Sequence, residues 1–308
     1  MTEKIDDNFR CGFVAVVGRP NAGKSTLVNT ILKRKIAIVT RVPQTTRNII
    51  RGIYNAKDIQ IIFVDTPGLH NPKDHLGKMM NKTSRQTIDD VDIVLYLMDT
   101  SRPPEKEEKR IIETVQRAKK PIILGLNKVD LGAKHMKDYI DLWQEATGKD
   151  ITTLEDSIKL LPLSSLKGTQ IKELMDIITK LLPKSVPLFP VDVVSDFPQR
   201  LFIAELVREK LFNLLRDEIP YGLSVSVEDI VEQKKNLLAI YMIILVDRDS
   251  QKKIVIGQKG SLLKKAGTEA RKELEKLLGK KVYLDLRVKT RRDWRDNARV
   301  LQELGLIE

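Results

Sequence analysis

The sequence predicts an α/β protein in which a mostly parallel sheet, covered by helices on both faces, precedes a smaller α+β unit. Two observations predict the first part: short apolar, β-branched runs recur, and helix-like segments separate them. A third observation is the proline-rich stretch Pro183 to Pro190, which interrupts regular secondary structure and separates two different element patterns. We therefore expect one domain over residues 1–182, a linker over 183–198 and a second domain over 199–308.

Size and composition indicate a globular protein with two cores. The chain has 308 residues, of which 42% are hydrophobic and 31% charged. No apolar run reaches the roughly 18 residues of a membrane span, and the amino terminus lacks the apolar core of a signal peptide. Cys11 is the single cysteine, which excludes an internal disulfide. We expect a cytoplasmic protein and, by default, a monomer.

Periodicity places the elements of the first domain. Four short apolar runs are expected as buried strands, namely Gly12 to Gly18, Ile59 to Thr66, Asp92 to Thr100 and Pro121 to Lys128. Helical spacing predicts helices over Lys24 to Leu32, Leu76 to Asp89, Glu105 to Ala118, Met136 to Thr147 and Ile171 to Leu182. Motifs at the strand ends should meet, because the carboxyl ends of parallel strands share one edge of a sheet.

A glycine-rich loop follows the first strand and opens the first helix. Gly18 to Ser25 reads GRPNAGKS and matches G-x-x-x-x-G-K-[ST]. Glycines let backbone amides face phosphate groups, and the helix amino terminus adds positive potential. Lys24 is expected to reach the terminal phosphates, and the Ser25 hydroxyl to ligate Mg²⁺. The motif predicts a nucleoside triphosphate site.

Two further segments are expected to sense the terminal phosphate. Asp65 ends a buried strand in the tetrapeptide DTPG, where its carboxylate would hold Mg²⁺ through water and the Gly68 amide would meet the phosphate. Between the motifs, VPQTTRNIIRG offers a threonine for the magnesium shell. We favour Thr46 over Thr45, and spacing alone leaves both open.

Base recognition is expected at NKVD, Asn127 to Asp130. The Asp130 carboxylate can accept two hydrogen bonds from guanine that adenine does not offer, so the motif favours GTP over ATP. SSLKG, Ser164 to Gly168, would add backbone contacts. The expected nucleotide contacts are Gly18, Arg19, Pro20, Asn21, Ala22, Gly23, Lys24, Ser25, Thr26, Asp65, Thr66, Pro67, Gly68, Asn127, Lys128, Asp130, Ser164, Ser165 and Leu166. The expected catalytic residues are Lys24, Asn21, Thr46 and Gly68, and those at Mg²⁺ are Ser25, Thr46 and Asp65.

The second domain combines a mixed element pattern with concentrated positive charge. Its expected elements are a helix over Gln199 to Leu215, strands over Leu223 to Val231 and Leu237 to Val246, a helix over Ser261 to Leu278, a strand over Val282 to Val288 and a helix over Asp293 to Leu304. Residues 248–295 hold 16 Lys and Arg against 6 Asp and Glu, which gives +10 of the net +12. Such charge favours a polyanion, either nucleic acid or an anionic membrane.

A glycine-bracketed turn lies inside this basic stretch. Gly257 to Gly260 reads GQKG, and we expect an apolar strand before it and a helix after it. The two glycines allow a nucleic-acid backbone to approach closely. The expected RNA contacts are Ile254, Ile256, Gly257, Gln258, Lys259, Gly260, Ser261, Leu262, Lys264, Lys265, Arg292 and Arg295. For Ile254, Ile256 and Leu262 a place in the core is the alternative, and for Trp294 we favour docking of the terminal helix over base stacking.

The motifs together carry a family resemblance. GRPNAGKS, QTTR, DTPGL, NKVD and SSLKG resemble the translation-factor-related GTPases that include Era, MnmE and Der, and the GQKG half extends the resemblance to the Era family along nearly the whole chain. This resemblance implies a P-loop GTPase domain followed by a type II KH domain. It also implies slow hydrolysis with Mg²⁺, and K⁺ as an activator, because Asn21 matches the family asparagine and Leu69 replaces a water-orienting glutamine. Ser165 departs from the alanine common in the family.

The resemblance further implies partners. These are GTP and GDP, 16S ribosomal RNA near its 3′ end, the maturing small ribosomal subunit, and a peripheral contact with the inner membrane. Three other interpretations stand beside it: an RNA chaperone with the nucleotide site as a slow timer, a membrane-surface GTPase, and an RNA-modification enzyme. The last is disfavoured, since the second half of the sequence shows no nucleophilic cysteine motif or metal cluster.

Overall fold

A computed structural model describes residues 8–72, 74–148, 150, 158–215, 219–234 and 236–307. The contacts divide the chain into two compact units. Within the described residues, the first unit comprises 8–37, 44–72 and 77–196, and the second comprises 38–43, 74–76 and 197–307. Among the described residues, no helix is both long enough and apolar enough to cross a bilayer.

The first unit is built on a six-stranded sheet. Its strands are β1 (Arg10–Val17), β2 (Ile50–Ala56), β3 (Ile59–Asp65), β4 (Ile93–Asp99), β5 (Ile122–Asn127) and β6 (Ile158–Pro162), in the order β2-β3-β1-β4-β5-β6. The pair of β2 and β3 is antiparallel, and the other pairs are parallel. The accompanying helices are α1 (Lys24–Leu32), α2 (His75–Asp90), α3 (Lys106–Arg117), α4 (Met136–Thr147) and α5 (Ile171–Leu181).

The sheet is buried because its central strands are apolar on both faces. Residues 14–17 of β1 and 93–97 of β4 are fully buried, as expected for strands covered by helices on two sides. The carboxyl ends of β1, β3, β4 and β5 lie at one edge, where Asp65, Asp99 and Asn127 end their strands. All four strands expected from the sequence are present. The edge strand β2 is not among the expected elements, because its sequence carries no clear strand pattern.

The proline-rich segment packs on the first unit. Gln60, a buried residue of β3, accepts hydrogen bonds from the amides of Leu188 and Phe189 at 2.7 and 3.0 Å, and donates to the Phe189 carbonyl at 2.7 Å. Further along, the Ile53 amide of β2 donates to the Val194 carbonyl at 2.8 Å. Residues 188–196 therefore run along the β2 side of the sheet, whereas Lys184 and Ser185 lie beside Arg10 and Phe9 at the start of β1.

The second unit contains a three-stranded sheet under helices. Its elements are α6 (Gln199–Leu214), β7 (Ser224–Lys234), β8 (Leu237–Val246), α7 (Asp249–Ile256), α8 (Ser261–Leu278), β9 (Lys281–Thr290) and α9 (Ala298–Glu303). The order is β7-β8-β9, antiparallel between β7 and β8 and parallel between β8 and β9. Apolar residues of α6, α8 and the sheet form one core, which also includes Ile38.

Two sequence-based expectations for this unit were wrong. Ile254 and Ile256 lie in helix α7, where a strand was expected before the GQKG turn. The Gln251 side chain caps the start of this helix by accepting from the amides of Asp247 and Arg248 at 3.0 and 3.2 Å. This cap and the burial of Val255 outweigh the β propensity of the IVI run, residues 254–256. The terminal helix is also shorter than expected, since residues 294–296 form a separate 3₁₀ turn.

Trp294 docks the carboxy-terminal segment onto the second unit, as the sequence favoured. Its side chain is fully buried, and the indole Nε1 donates to the Gly222 carbonyl at 3.0 Å. A buried indole of this size contributes both apolar burial and a satisfied hydrogen bond. The residue therefore supports the fold and does not offer a surface for base stacking.

We predict that Trp294→Ala destabilises the second unit by about 3–5 kcal/mol, because it leaves a cavity and an unpaired carbonyl. The Trp294→Phe control keeps most of the volume and should cost only about 1 kcal/mol. Denaturant unfolding followed by circular dichroism measures both effects, while Trp143 fluorescence reports the first unit and should not move. An unchanged midpoint for the alanine variant would contradict the docking role.

Candidate nucleotide and nucleic-acid sites

At two positions in the loop between β1 and α1, the backbone conformation and the lack of space require glycine. Gly18 and Gly23 adopt φ of 149° and 102°. A Cβ atom at Gly18 would lie 2.3 Å from the Leu97 carbonyl oxygen, and one at Gly23 would lie 2.3 Å from Asn127 Nδ2. The loop thus curls against β4 and β5 with its backbone drawn tight, as a phosphate-binding loop requires.

Lys24 and Asp65 are buried charges at the base of this loop. Lys24 Nζ donates to the carbonyls of Gly18 and Arg19 at 3.1 and 2.9 Å. Burial lowers the pKa of Lys24 to about 8, against the attraction of the Asp65 carboxylate. Burial likewise raises the pKa of Asp65 to about 6, against Lys24 and the hydroxyls of Ser25 and Thr46.

Three oxygen-bearing side chains meet beside Lys24. Ser25 Oγ donates to Asp65 Oδ2 at 2.6 Å and lies 3.0 Å from Thr46 Oγ1. The other carboxylate oxygen, Asp65 Oδ1, is buried and has no hydrogen-bond partner among the described residues. Thr46, rather than Thr45, is the threonine that the structure brings to this cluster.

Asn127 connects the loops that surround the site. Its buried amide donates from Nδ2 to the Ala22 carbonyl at 2.7 Å, and its Oδ1 accepts from Ser165 N at 2.9 Å and from Ser165 Oγ at 3.0 Å. The Ser165 carbonyl in turn accepts from Thr30 Oγ1 at 2.7 Å. One side chain therefore holds the phosphate loop and the SSLKG loop together.

The remaining residues of the NKVD motif are held by side chains on neighbouring loops. Lys128 Nζ donates to Asp99 Oδ2 at 2.7 Å, and Asp130 Oδ1 accepts from Ser164 Oγ at 2.5 Å. Burial alone would raise the pKa of Asp99, but hydrogen bonds from Lys128 and Ser101 outweigh it, so this pKa lies below its usual value. Sequence reasoning missed Asp99, although it ends a buried strand in the same way as Asp65.

The loop after Asp65 is clamped between the phosphate loop and α2. A Cβ at Gly68 would lie 2.7 Å from the backbone nitrogen of Pro20, so the two loops touch. Ser84 Oγ donates to the Pro67 carbonyl at 2.9 Å. Asn81 accepts from the His70 amide at 3.3 Å and donates to the His70 carbonyl at 2.7 Å. These contacts of α2 fix residues 67–70, and sequence reasoning did not identify them.

Arg19 supports the phosphate loop from behind. Its guanidinium is nearly buried and lies 2.5 Å from Glu105 and 3.9 Å from Glu108, both at the start of the α3 region. Glu108 is itself buried and accepts a hydrogen bond from the Tyr96 hydroxyl, and another from that of Tyr139 at 3.4 Å. The Arg19 side chain therefore joins an internal ion pair, which leaves its backbone for the nucleotide contact expected from the sequence.

Other expected nucleotide contacts fall around this cluster. Thr66 is buried and donates from Oγ1 to the Val16 carbonyl at 3.0 Å, while Leu166 projects outward with 71% of its surface exposed. Leu69, at the position where a glutamine would orient water, is buried at 6% exposure. Asn21 has a positive φ of 64°, at the turn of the loop.

The GQKG turn has the backbone of a tight, left-handed loop. Gly257, Lys259 and Gly260 have φ of 74°, 47° and 78°. A Cβ at Gly257 would lie 2.8 Å from that of Leu262, so glycine is needed there, and α8 begins directly after the turn at Ser261. The exposed side chains at the turn and the first part of α8 are those of Gln258, Lys259, Ser261, Lys264 and Lys265.

The other residues expected to contact RNA differ in their surroundings. Ile254 is 49% exposed, whereas Ile256 and Leu262 pack against the core of the second unit. Arg292 is exposed. Arg295, in contrast, lies 3.4 Å from Asp247 and 3.4 Å from Asp74. Arg295 thus serves an internal ion-pair network of the second unit.

We predict a pH-dependent effect of Glu108→Gln on the first unit. Burial raises the pKa of Glu108 above its ordinary value of about 4.3. A carboxyl group whose pKa is higher in the folded state binds its proton more tightly there. The free energy of unfolding therefore falls as pH rises from the unfolded-state pKa through the folded one. The variant removes this titration, so its stability relative to the unchanged chain should increase as the pH rises above about 4.3, the ordinary pKa of the carboxyl.

Trp143 fluorescence in a Trp294→Phe background measures this unfolding for the first unit alone. The exposed Glu113→Gln makes the same substitution on the solvent-facing side of α3 and is the matched control. A Glu108→Gln difference in stability that does not change with pH would contradict the raised pKa.

Comparison with known proteins places this geometry in a family. The family described as 50S ribosome-binding GTPase matches residues 13–128, and the KH domain family matches residues 218–295. GTPase Era of Geotalea daltonii is 42% identical over 305 residues, covering 99% of both chains. GTPase Era of Geobacter metallireducens is 43% identical over 301 residues, covering 97% of this chain and 99% of the relative.

Solved structures agree with these sequence relatives. A crystal structure of Era in complex with MgGDPNP and nucleotides 1506–1542 of 16S ribosomal RNA is 38% identical, with a TM-score of 0.90 over 97% of this chain and 100% of that one. A crystal structure of an Aquifex aeolicus Era variant bound to GDP and AlF4⁻ is also 38% identical and gives a TM-score of 0.89 over the same coverage. The fold class expected from the sequence is confirmed, as is the family resemblance. With this identity along its full length, the chain belongs to the Era family of GTPases.

Proposed function

We propose that this chain hydrolyses GTP to GDP and phosphate, binds 16S ribosomal RNA near its 3′ end, and assists maturation of the small ribosomal subunit. The observation that carries the proposal is the presence of two sites in one chain: a phosphate loop joined to NKVD by Asn127, and a glycine-bracketed basic turn. We assign nucleotide binding to residues 1–182 and RNA binding to residues 199–308, joined by 183–198. The Era structure solved with GDPNP and ribosomal RNA supports this assignment.

GTP specificity is assigned to Asp130. The Ser164 hydroxyl donates to one carboxylate oxygen at 2.5 Å and so fixes the orientation of the group. A fixed pair of carboxylate oxygens matches the two donors on the guanine edge, and an adenine would leave these acceptors unpaired. The backbone of Ser165, whose amide donates to Asn127, would add contacts to the base.

Mg²⁺ fits the cluster of Ser25, Thr46 and Asp65. Hard divalent cations take oxygen ligands, and this cluster offers two hydroxyls and a buried carboxylate whose Oδ1 has no partner among the described residues. We propose that Ser25 and Thr46 ligate the ion and that Asp65 holds it through water. The bound ion would neutralise charge on the phosphate oxygens, while Lys24 and the loop amides position them.

We also propose K⁺ as an activator, held in part by Asn21 at the turn of the phosphate loop. Leu69 is aliphatic and buried, so it cannot orient the attacking water as a glutamine would. A second cation beside the phosphates would supply stabilisation of the developing charge that this site otherwise lacks.

The potassium proposal predicts faster hydrolysis in K⁺ than in Na⁺ at equal ionic strength, by on the order of tenfold. Asn21→Ala should remove most of that difference, because it removes the proposed ligand. Steady-state turnover in the two salts measures the effect, with GDP affinity as a check that the loop is intact. Equal rates in both salts would eliminate the proposal.

RNA binding is assigned to the turn Gly257–Gly260 and the start of α8. Lys259, Lys264 and Lys265 are exposed there, beside the amino terminus of an 18-residue helix. Backbone amides at the helix start and the neighbouring ammonium groups together attract phosphates. The close approach of Gly257 to Leu262 keeps the turn narrow.

We predict that a single-stranded RNA carrying the 3′ tail of 16S ribosomal RNA stimulates GTP hydrolysis, and that a scrambled RNA does not. Lys264→Glu/Lys265→Glu should weaken RNA binding by about tenfold or more, because it reverses charge at the proposed site. Lys272→Glu/Lys276→Glu makes the same charge change further along α8 and is the matched control. Hydrolysis indifferent to both RNAs, or equal loss in both variants, would refute the assignment.

For location, we propose a cytoplasmic monomer whose basic surface also meets the inner membrane peripherally. Exposed ammonium groups attract anionic lipid headgroups as they attract RNA. Vesicles containing anionic lipid should compete with RNA for the unchanged chain. Neutral vesicles provide the control.

A further inference from the structure

A charged groove lies between α2 and α3 of the first unit, beside residues 69–72. We call it the α2–α3 groove, and its volume is about 400 Å³. Four exposed cations line it, namely Lys78, Lys82 and Arg85 on α2 and Arg110 on α3. Within the described part of the chain, none of these four side chains forms an ion pair. They are therefore available to an anionic partner.

The floor of the groove is not purely cationic. Leu69 and Ile111 form a buried apolar base, and Pro72 is half-buried at the rim. Asp89 and Glu107 add two carboxylates to the lining. Glu107 is engaged within the protein, since it accepts from the Asn71 amide at 3.2 Å and lies 3.8 Å from Arg19.

The groove is connected to the loop that follows Asp65 through helix α2. This helix carries three of the four cations of the groove. It also forms hydrogen bonds with the loop backbone, from Asn81 to His70 and from Ser84 to Pro67. Gly68, between these two anchors, touches the phosphate loop at Pro20. A ligand that shifts or stiffens α2 therefore acts on the position of Gly68.

We propose that the α2–α3 groove docks an acidic polypeptide segment of a protein regulator, and that docking changes the rate of GTP hydrolysis; the second half of this proposal rests on the proposed function. The partner chemistry follows from the lining. Four cations that form no ion pair within the described residues select negative charge, whereas the apolar base and the two carboxylates suit the mixed side chains of a polypeptide better than a continuous phosphate backbone.

The test uses the full chain with two labelled probes, short poly-L-glutamate and a single-stranded RNA of equal charge. Lys78→Glu/Lys82→Glu should weaken poly-glutamate binding by about tenfold and leave RNA binding unchanged, because it reverses charge only in the groove. The matched control, Lys272→Glu/Lys276→Glu, makes the same charge change on α8 and should leave poly-glutamate binding intact. Saturating poly-glutamate should alter turnover of the unchanged chain but not of the groove variant.

Equal poly-glutamate affinity in the groove variant and the unchanged chain would overturn the docking site, as would a loss of RNA binding larger than the loss of poly-glutamate binding. Basal hydrolysis separates this result from the proposed function. If the unchanged chain binds poly-glutamate at the groove but hydrolyses no GTP, the proposed function fails while the docking site is supported. Normal hydrolysis that poly-glutamate leaves unaltered would overturn the regulatory half of the proposal.

Discussion

The buried amide of Asn127 is the contact on which the nucleotide site depends. It ties the phosphate loop, through the Ala22 carbonyl, to the SSLKG loop, through Ser165. The two loops lie far apart in the sequence of the first unit, and the described residues show no β-bridge between them. Because the side chain has 1% exposure, each of its hydrogen bonds is costly to lose. A single residue at the end of β5 therefore sets the distance between the phosphate loop and the SSLKG loop.

Burial also gives the site its electrostatic character. The same desolvation lowers the pKa of Lys24 to about 8 and raises that of Asp65 to about 6, so both ionised forms are held at a cost in free energy. Phosphate groups and a divalent cation, bound as proposed above, would supply charges opposite to those of Lys24 and Asp65. The free-energy cost of desolvating these two charges arises when the protein folds and not when a ligand binds, which is the basis of electrostatic preorganisation. The packed strands β1 and β4 beneath the site offset that loss of stability.

The sequence predicted the parts of this protein that depend on short-range patterns. Apolar runs located β1, β3, β4 and β5, and the motifs at their ends met as expected because parallel strands share an edge. Contacts between distant residues were not predictable in the same way. Nothing local indicates that the Arg19 side chain turns toward Glu105, or that Asp99 holds Lys128.

In the second unit, a local sequence pattern gave a wrong prediction because contacts outside the pattern determine the structure. The IVI run before GQKG has strand propensity, yet the cap provided by Gln251 and the burial of Val255 make it helical. Intrinsic strand or helix propensity predicts secondary structure poorly where tertiary packing favours a different conformation. The segment expected as a linker, residues 183–198, includes a stretch beside the edge strand β2, where the Ile53 amide donates to the Val194 carbonyl. That placement pairs part of the outer edge of β2, where the Ser195 hydroxyl also donates to the Arg51 carbonyl at 2.6 Å. A chain shortened to end at 182 would leave β2 as a bare sheet edge, the kind of surface through which β proteins pair with one another and aggregate.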